Sequence, residues 1–373
     1  MKKKLLPALI VTGLIILVVI IMGITALINK YTPTKKTEDL KEYFNISSDD
    51  EAALIVDNEL SDYKAKIIDK KIYVDYKFVH DSLNSRFYWD ANENVLLYTT
   101  ASDIISAAAD SNSYSVTKQT NDFGYPIVKA TSDSALIALD YVKQYSNITF
   151  KSYDDPARIV ITSKWDEIDS ATVSKSTQVR VKGGIKSPIL KEVKKDDKVT
   201  ILDSGDKWDK IATEDGVIGY IKGKALSESK KTKLTNPDYE EETFTHIKKD
   251  KDICLAWNQV TSQSANSKVP QVISSTKGIN VMSPTWFYLN DNNGNLADIA
   301  SKDYVSYCHS QGIEVWGLFS NFENTDVDAA YVLTHTSTRT TLINQIMSAA
   351  FNYELDGCLL YTSPSPRDRS LSR

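Results

Sequence analysis

At about Phe244 the chain changes its period, and that change constrains the fold more than any single motif. Upstream, apolar and polar residues alternate over short runs broken by Gly, Asp and Asn. Lys198-Val199-Thr200-Ile201-Leu202, followed by Asp203-Ser204-Gly205-Asp206, is one example. Successive side chains of a strand point to opposite faces, so this pattern predicts half-buried strands joined by turns. Downstream, apolar runs are separated by stretches long enough for helices. The runs Asp252 to Trp257, Ile279 to Pro284 and Ile313 to Phe319, and one starting near Leu355, read as strands. Tyr304 to Ser310 and Thr336 to Ala350 read as helices, the second with Leu342, Ile343, Ile346 and Met347 on one face. Strands alternating with helices predict a parallel sheet, and four strands without closure predict part of a (β/α)8 barrel.

The N-terminus carries a different signal. Lys2-Lys3-Lys4 precedes an uncharged apolar run, Leu5 to Ile28, closed by Lys30. About 20 apolar residues suffice to span a hydrocarbon core of about 30 Å. The run is longer than the apolar part of a cleavable signal peptide, and Met22-Gly23-Ile24-Thr25-Ala26 is a poor cleavage site. The expectation is an uncleaved transmembrane signal-anchor over 1–30, with a polar linker over 31–48. Three lysines before the run and one after place the N-terminus in the cytoplasm and the bulk of the chain outside the cell.

Composition narrows the partners. The formal charge is −5, and Arg367, Arg369 and Arg373 near the C-terminus leave the rest of the chain more acidic still. An acidic chain is a poor ligand for the phosphate backbone, so nucleic acid is not expected as a partner. The chain has 20 tyrosines and 6 tryptophans, enough to stack on sugar rings, although tyrosine-rich β domains carry as many. Of Cys254, Cys308 and Cys358, the last falls in a segment set aside below. Two remaining cysteines make neither a disulfide framework nor a metal cluster, and both are expected to be buried free thiols. Few cysteines outside the cell fit a Gram-positive bacterial surface. No cofactor or metal is expected. Asp291-Asn292-Asn293-Gly294-Asn295 lacks the alternation and terminal Glu of a calcium loop and reads as a hairpin turn.

The upstream region contains two ancillary parts. Ile72 to Val79, Phe87 to Asp90 and Asn94 to Thr99 are echoed by Ala135 to Val142, Phe150 to Asp154 and Ala157 to Thr162. Each copy reads as strand, short helix, strand, turn, strand. Residues 49–165 thus resemble the duplicated α+β module known as copper-amine-oxidase N-terminal-like. The stretch holds a single histidine, His80, so no copper site is expected and a spacer role is favoured. Residues 170–229 resemble a bacterial SH3-like β-barrel. The resemblance rests on Val179-Arg180-Val181-Lys182, on Trp208 ahead of an apolar strand, and on Gly216-Val217-Ile218-Gly219-Tyr220-Ile221. Such modules often bind peptidoglycan peptides, which makes Trp208 and Tyr220 candidate wall-binding residues, with core packing as the alternative. Residues 230–245, with Lys230-Lys231 and Glu240-Glu241-Glu242, read as a second linker.

Residues 246–357 resemble the first four strands of a glycoside hydrolase family 18 barrel of the cell-wall and spore-cortex branch. The resemblance is carried by Ser283-Pro284-Thr285-Trp286-Phe287, Trp316-Gly317-Leu318-Phe319-Ser320-Asn321, Asn344-Gln345-Ile346 and Tyr353-Glu354-Leu355-Asp356-Gly357. The family's fourth strand reads Asp-Gly-x-x-x-Asp-x-Glu, and Asp356 and Gly357 match its first two positions. The resemblance implies substrate-assisted retaining hydrolysis of β-1,4-linked N-acetylglucosamine in peptidoglycan or chitin. In it the Glu protonates the leaving oxygen, the inner Asp orients the acetamido group, and Asp356 supports that Asp. Trp257, Trp286, Tyr288 and Trp316 lie at or beyond strand C-terminal ends and are the candidate sugar platforms, with core packing as the alternative for each. The pattern is lost from Cys358 onward. Cys358-Leu359-Leu360-Tyr361-Thr362-Ser363 matches a translated sequencing-library adapter, so 358–373 is expected to be an artefact and the chain inactive. The alternative is a non-catalytic cell-wall or carbohydrate-binding surface protein.

Overall fold

The computed structural model describes residues 2–360, apart from 246 and 322. Of the suspected adapter segment, 361–373 therefore lies outside the described residues. The chain is mostly β-sheet with several helices and divides into two compact units. One comprises the chain up to Phe87 with Gly124–Glu241, the other Tyr88–Phe123 with the chain from Glu242 on. Lys2–Tyr31 is one helix. Its Val11–Tyr31 stretch, with a mean hydropathy of 2.9 and no buried residues, is long and apolar enough to cross a membrane.

The first unit holds two seven-stranded sheets. In one, Arg158–Thr162 runs parallel to Glu51–Val56, and the remaining pairs, from Thr149–Tyr153 to Val128–Ala130, are antiparallel. The strand, helix, strand, turn, strand order of the repeat is present twice. It runs from Lys71–Asp75 to Val95–Thr99, and again from Ala135–Ala138 to Arg158–Thr162. The other sheet is antiparallel, ordered Ile189–Val193, Thr177–Arg180, Ile218–Lys222, Trp208–Thr213, Lys198–Asp203, Glu167–Thr172, Lys230–Lys233. One core joins the two sheets: Ala53 and Ile55 pack with Val179, Leu190, Val199, Ile211 and Ile221. Gly216, at φ +83°, sits at the seam. A Cβ there would lie 2.8 Å from Val160 and 3.2 Å from Ile55, so glycine is required by both conformation and space.

Both expected linkers are partly absorbed into this unit. Within 31–48, Leu40–Tyr43 forms a short helix and Phe44, 1% exposed, enters the common core. Lys230–Lys233 is a strand paired with Glu167–Ser170. The reasons differ: Phe44 enters by its apolar ring, the lysine segment by its backbone. Polar side chains do not prevent a backbone from completing a sheet edge, and lysines are well suited to an edge that must stay soluble.

The second unit contains the parallel sheet. Its strands are β1 (Leu255–Asn258), β2 (Val281–Leu289), β3 (Glu314–Ser320) and β4 (Gly357–Leu360), adjacent in that same order and all parallel. Helices α1 (Val269–Ser274), α2 (Lys302–Ser310) and α3 (Thr336–Tyr353) lie in the connections. Ser301 caps α2 through the Tyr304 N–H, and Gly312, at φ +73°, follows its C-terminus. Met282, Trp286, Val315 and Phe319 bury one face of the sheet against Tyr304, Val305, Cys308, Leu342 and Ala349 of the helices. Asp291 closes the predicted hairpin turn after β2 by accepting from the Asn293 N–H at 2.9 Å and from Asn295 Nδ2 at 2.8 Å. The same unit includes antiparallel hairpins from Val95–Thr99 to Gln119–Asp122. The turn preceding them caps α3. Asp90, 1% exposed, accepts from the Thr336 N–H at 2.7 Å, and Glu93 accepts from the Ser337 N–H at 2.9 Å. Burial pushes the Asp90 carboxyl up, but these and neighbouring hydrogen bonds outweigh it and hold it below its ordinary value.

Candidate functional site

Strand alternation sorts the residues of β1 to β4 onto two faces. Ala256, Met282, Val315 and Phe319 face the helices. Trp257, Ser283, Trp316 and Gly357 belong to the opposite face. Trp257 pairs with Ser283, and Trp316 with Gly357. Met282 is opposite Val315, which places Ser283 beside Trp316. The two tryptophans thus stand at one level, two strands or about 10 Å apart, with the small Ser283 between them. Trp257 is 65% exposed, whereas Trp316 is half-buried and donates from Nε1 to Glu314 Oε2 at 3.1 Å. Lys249, then burial, then the Trp316 contact act on the Glu314 carboxyl, and the net effect is to lower it. The Ser283 hydroxyl is fully buried with no partner among the described residues. Tyr288, half-buried, is paired with Ser320, two levels nearer the C-terminal ends.

Trp286 is not part of this arrangement. Counted in twos along β2, it falls on the same face as Met282, toward the helices. There it is 0% exposed, edge-on to Tyr304 at 4.9 Å, and its Nε1 donates to Asn266 Oδ1 at 2.8 Å. It is a core residue and cannot serve as a sugar platform.

Asp356 is placed by one backbone and one imidazole contact. It precedes β4 at the strand's N-terminal edge, where Oδ2 accepts from the Val315 N–H at 2.8 Å and meets His309 Nε2 at 2.8 Å. It ties the start of β4 to β3 and to the end of α2. Cys308 beside it is buried, and burial, with the Asp356 charge, pushes its thiol up to about 12. Cys254, expected to be buried, is exposed because it lies just ahead of β1. Among the described residues no group of three His, Cys, Asp or Glu side chains converges as for a metal.

In the first unit, Trp208 and Tyr220 lie on one hairpin and both flank Gly183. They lie on the outward face of their hairpin, where Trp208 pairs with Lys222 and Tyr220 with Lys210. A Cβ on Gly183 would be 3.1 Å from Trp208 and 3.6 Å from Tyr220, so this glycine sits between the rings. Tyr220 also lines a groove of about 780 Å³ with Tyr43, Leu60, Leu202, Asp57 and Lys210. Sequence alone did not give this groove, because it forms between segments far apart in the chain.

No known family model matches the chain, and no curated protein matches it. Parts of solved structures are similar to it. The Bacillus cereus spore cortex-lytic enzyme SleL is 16% identical over 38% of this chain and 34% of that one, with a TM-score of 0.26. A chitinase from Chromobacterium violaceum ATCC 12472 is 14% identical over 29% and 34%, at 0.23. The chitinase ChiC from Aspergillus fumigatus is 14% identical over 28% and 42%, at 0.24. The chain spans well under half of each of these proteins, and likeness at this level assigns no activity.

Proposed function

We infer that the chain carries the first four strands of a glycosidase barrel, of the family 18 type, whose complete protein hydrolyses β-1,4-linked N-acetylglucosamine in peptidoglycan or chitin. The observation that carries this reading is the sequential, all-parallel order of β1 to β4. A (β/α)8 barrel winds in that way, whereas a doubly wound sheet reverses its strand order part-way. Apolar surface on the helix side supports it. Ile343, Met347 and Phe351, one turn apart on α3, are 44%, 50% and 78% exposed, and Leu360 of β4 is 66% exposed. That is where a further strand–helix unit of a barrel would pack. The face holding Trp257, Tyr288 and Trp316 would be the barrel interior.

In this chain Tyr361 and Ser363 stand where the motif carries its inner Asp and its Glu. Without the general acid, a loss of about 10²–10⁴ in rate is expected from that group alone. The chain itself is therefore read as inactive. We place it at the cell membrane of a Gram-positive bacterium, anchored by the N-terminal helix with the bulk outside. In chain order the duplicated module and the SH3-like part come between the N-terminal helix and the barrel strands. The test is hydrolysis of N-acetylglucosamine oligomers and of purified peptidoglycan by the 1–373 chain. No turnover is expected, and turnover above a no-enzyme control would overturn the inactive reading.

A second reading is a non-catalytic wall-binding protein, favoured by Trp208 and Tyr220 both flanking Gly183, with Tyr220 lining an open groove. Retention of the chain on cell walls, lost in Trp208→Ala, is the outcome that would support it. Retention unaffected by that change would remove these residues from the account.

A further inference from the structure

The antiparallel sheet of the first unit ends in two lysine-bearing edges, and one of them is tied to the N-terminal helix. The chain leaves that helix at Tyr31 and goes directly into hydrogen bonds with the sheet. The Thr34 N–H donates to Ile185 O at 2.8 Å, the Glu38 N–H to Ile189 O at 2.8 Å, and the Ile189 N–H to Lys36 O at 2.9 Å. The Arg180 guanidinium donates to Thr34 O at 3.2 Å. Lys186 Nζ donates to Thr32 O at 2.8 Å and also to Asn29 O, one of the last helix carbonyls, which have no partner within the helix itself. Pinned at so many points just after its last turn, the helix exit has no slack. The 182–187 loop is held at the level where the helix stops.

That level is basic. Lys35, Lys36, Lys182 and Lys186 are exposed there, and Lys30 lies in the last helical turn. Glu38 and Asp39 are the acidic groups on the same stretch, and Asp39 is turned to cap the Leu40–Tyr43 helix. Tyr31, 66% exposed, marks the helix end with the aromatic type that favours a membrane–water boundary. Charges are felt over about 8 Å at physiological salt, so the overall acidity of the chain does not cancel this local patch. Lysines held at the headgroup level are attracted to anionic lipid.

Resting on the reading of Val11–Tyr31 as a membrane span, we propose that the 182–187 loop and residues 30–36 form a docking surface for anionic phospholipid headgroups. The surface would hold the sheet against the bilayer instead of letting it swing on a tether.

The test uses the full chain in nanodiscs of phosphatidylcholine alone and in discs that also contain phosphatidylglycerol. Lysines are briefly acetylated and read by mass spectrometry. Lys35, Lys36 and Lys182 are expected to label several-fold more slowly with phosphatidylglycerol, and to lose that protection in high salt. Lys233, on the opposite edge strand, should label equally in both. Lys186 already donates to the Asn29 and Thr32 carbonyls and is not a reporter. Shielding of Val11–Tyr31 from protease reports the span separately. A shielded span with equal lysine labelling in both discs overturns the docking surface. An unshielded span overturns the membrane reading beneath it.

Discussion

In the first unit, apolar residues from two seven-stranded sheets meet in one core, and even a segment that looks like a linker contributes Phe44 to it. In the second, α3 holds Leu342 and Ala349 in a core while Ile343, Met347 and Phe351 on the same helix stay exposed. The difference shows what each unit asks of its surroundings. Outside the N-terminal helix, the two sheets of the first cover each other's apolar faces. The second presents a stripe that only another layer would cover, the kind of surface that promotes association.

Four predictions would break or sharpen that contrast. The largest concerns Trp286 and Trp257, two tryptophans of one sheet with opposite surroundings. Trp286→Ala should cost the second unit about 3–5 kcal/mol in denaturant unfolding, whereas Trp257→Ala should change stability by less than about 0.5 kcal/mol. Similar losses for the two would mean that Trp286 does not lie on the buried helix face of β2.

Next is the seam of the first unit. Arg158 is buried, with Nε donating to Asp215 O at 2.6 Å, and its guanidinium also bonds the Asp215 carboxylate, which Lys191 meets at 2.6 Å. Arg158→Ala leaves that carboxylate short of a partner and should cost up to about 3–5 kcal/mol. Burial raises the Asp215 carboxyl, but its bonds to Lys191 and Thr213 and the nearby positive charges outweigh burial and lower it. Its contribution should therefore be complete above the ordinary carboxylate range near 4 and fade as pH falls through the depressed folded value. Acid titration of unfolding should show the wild type losing more stability than Asp215→Asn. Parallel curves would remove Asp215 from the seam.

Smaller is the cap on α3. Asp90→Ala should cost about 1–2 kcal/mol and fray the first turn, raising hydrogen exchange at Thr336 and Ser337. Exchange there unchanged from wild type would mean that the turn at Asp90 does not hold the helix. Smallest in stability is Phe351→Glu, expected within about 0.5 kcal/mol of the parent. Its effect should appear in light scattering as reduced self-association, and unchanged scattering would mean the stripe is not what brings copies together.

The sequence disclosed elements better than it disclosed neighbours. Helix α3 was visible from its apolar period, and β2 and β3 from short apolar runs bounded by turns. The seam at Gly216 and the caps from Asp90 and Glu93 were not visible, because they join residues far apart in the chain and leave no local pattern. Trp286 misled because its place near the C-terminal end of β2 was read without its face: counted in twos from the buried Met282, it falls on the helix side. Asp356 matched a motif position, but a motif does not say at which end of a strand its first letter sits. Cys358 to Leu360 continue β4 in register with β3, since a strand needs only apolar side chains and free backbone groups. The strand therefore forms whatever the source of those residues.

The measurement that tests the central claim most directly is re-sequencing of the source gene across the codon for Gly357. The account predicts a reading frame that departs from this chain after Gly357 and continues with an Asp and then a Glu at the family spacing. A gene that encodes Cys358 to Arg373 as they stand would contradict it, and wall binding without catalysis would become the leading account.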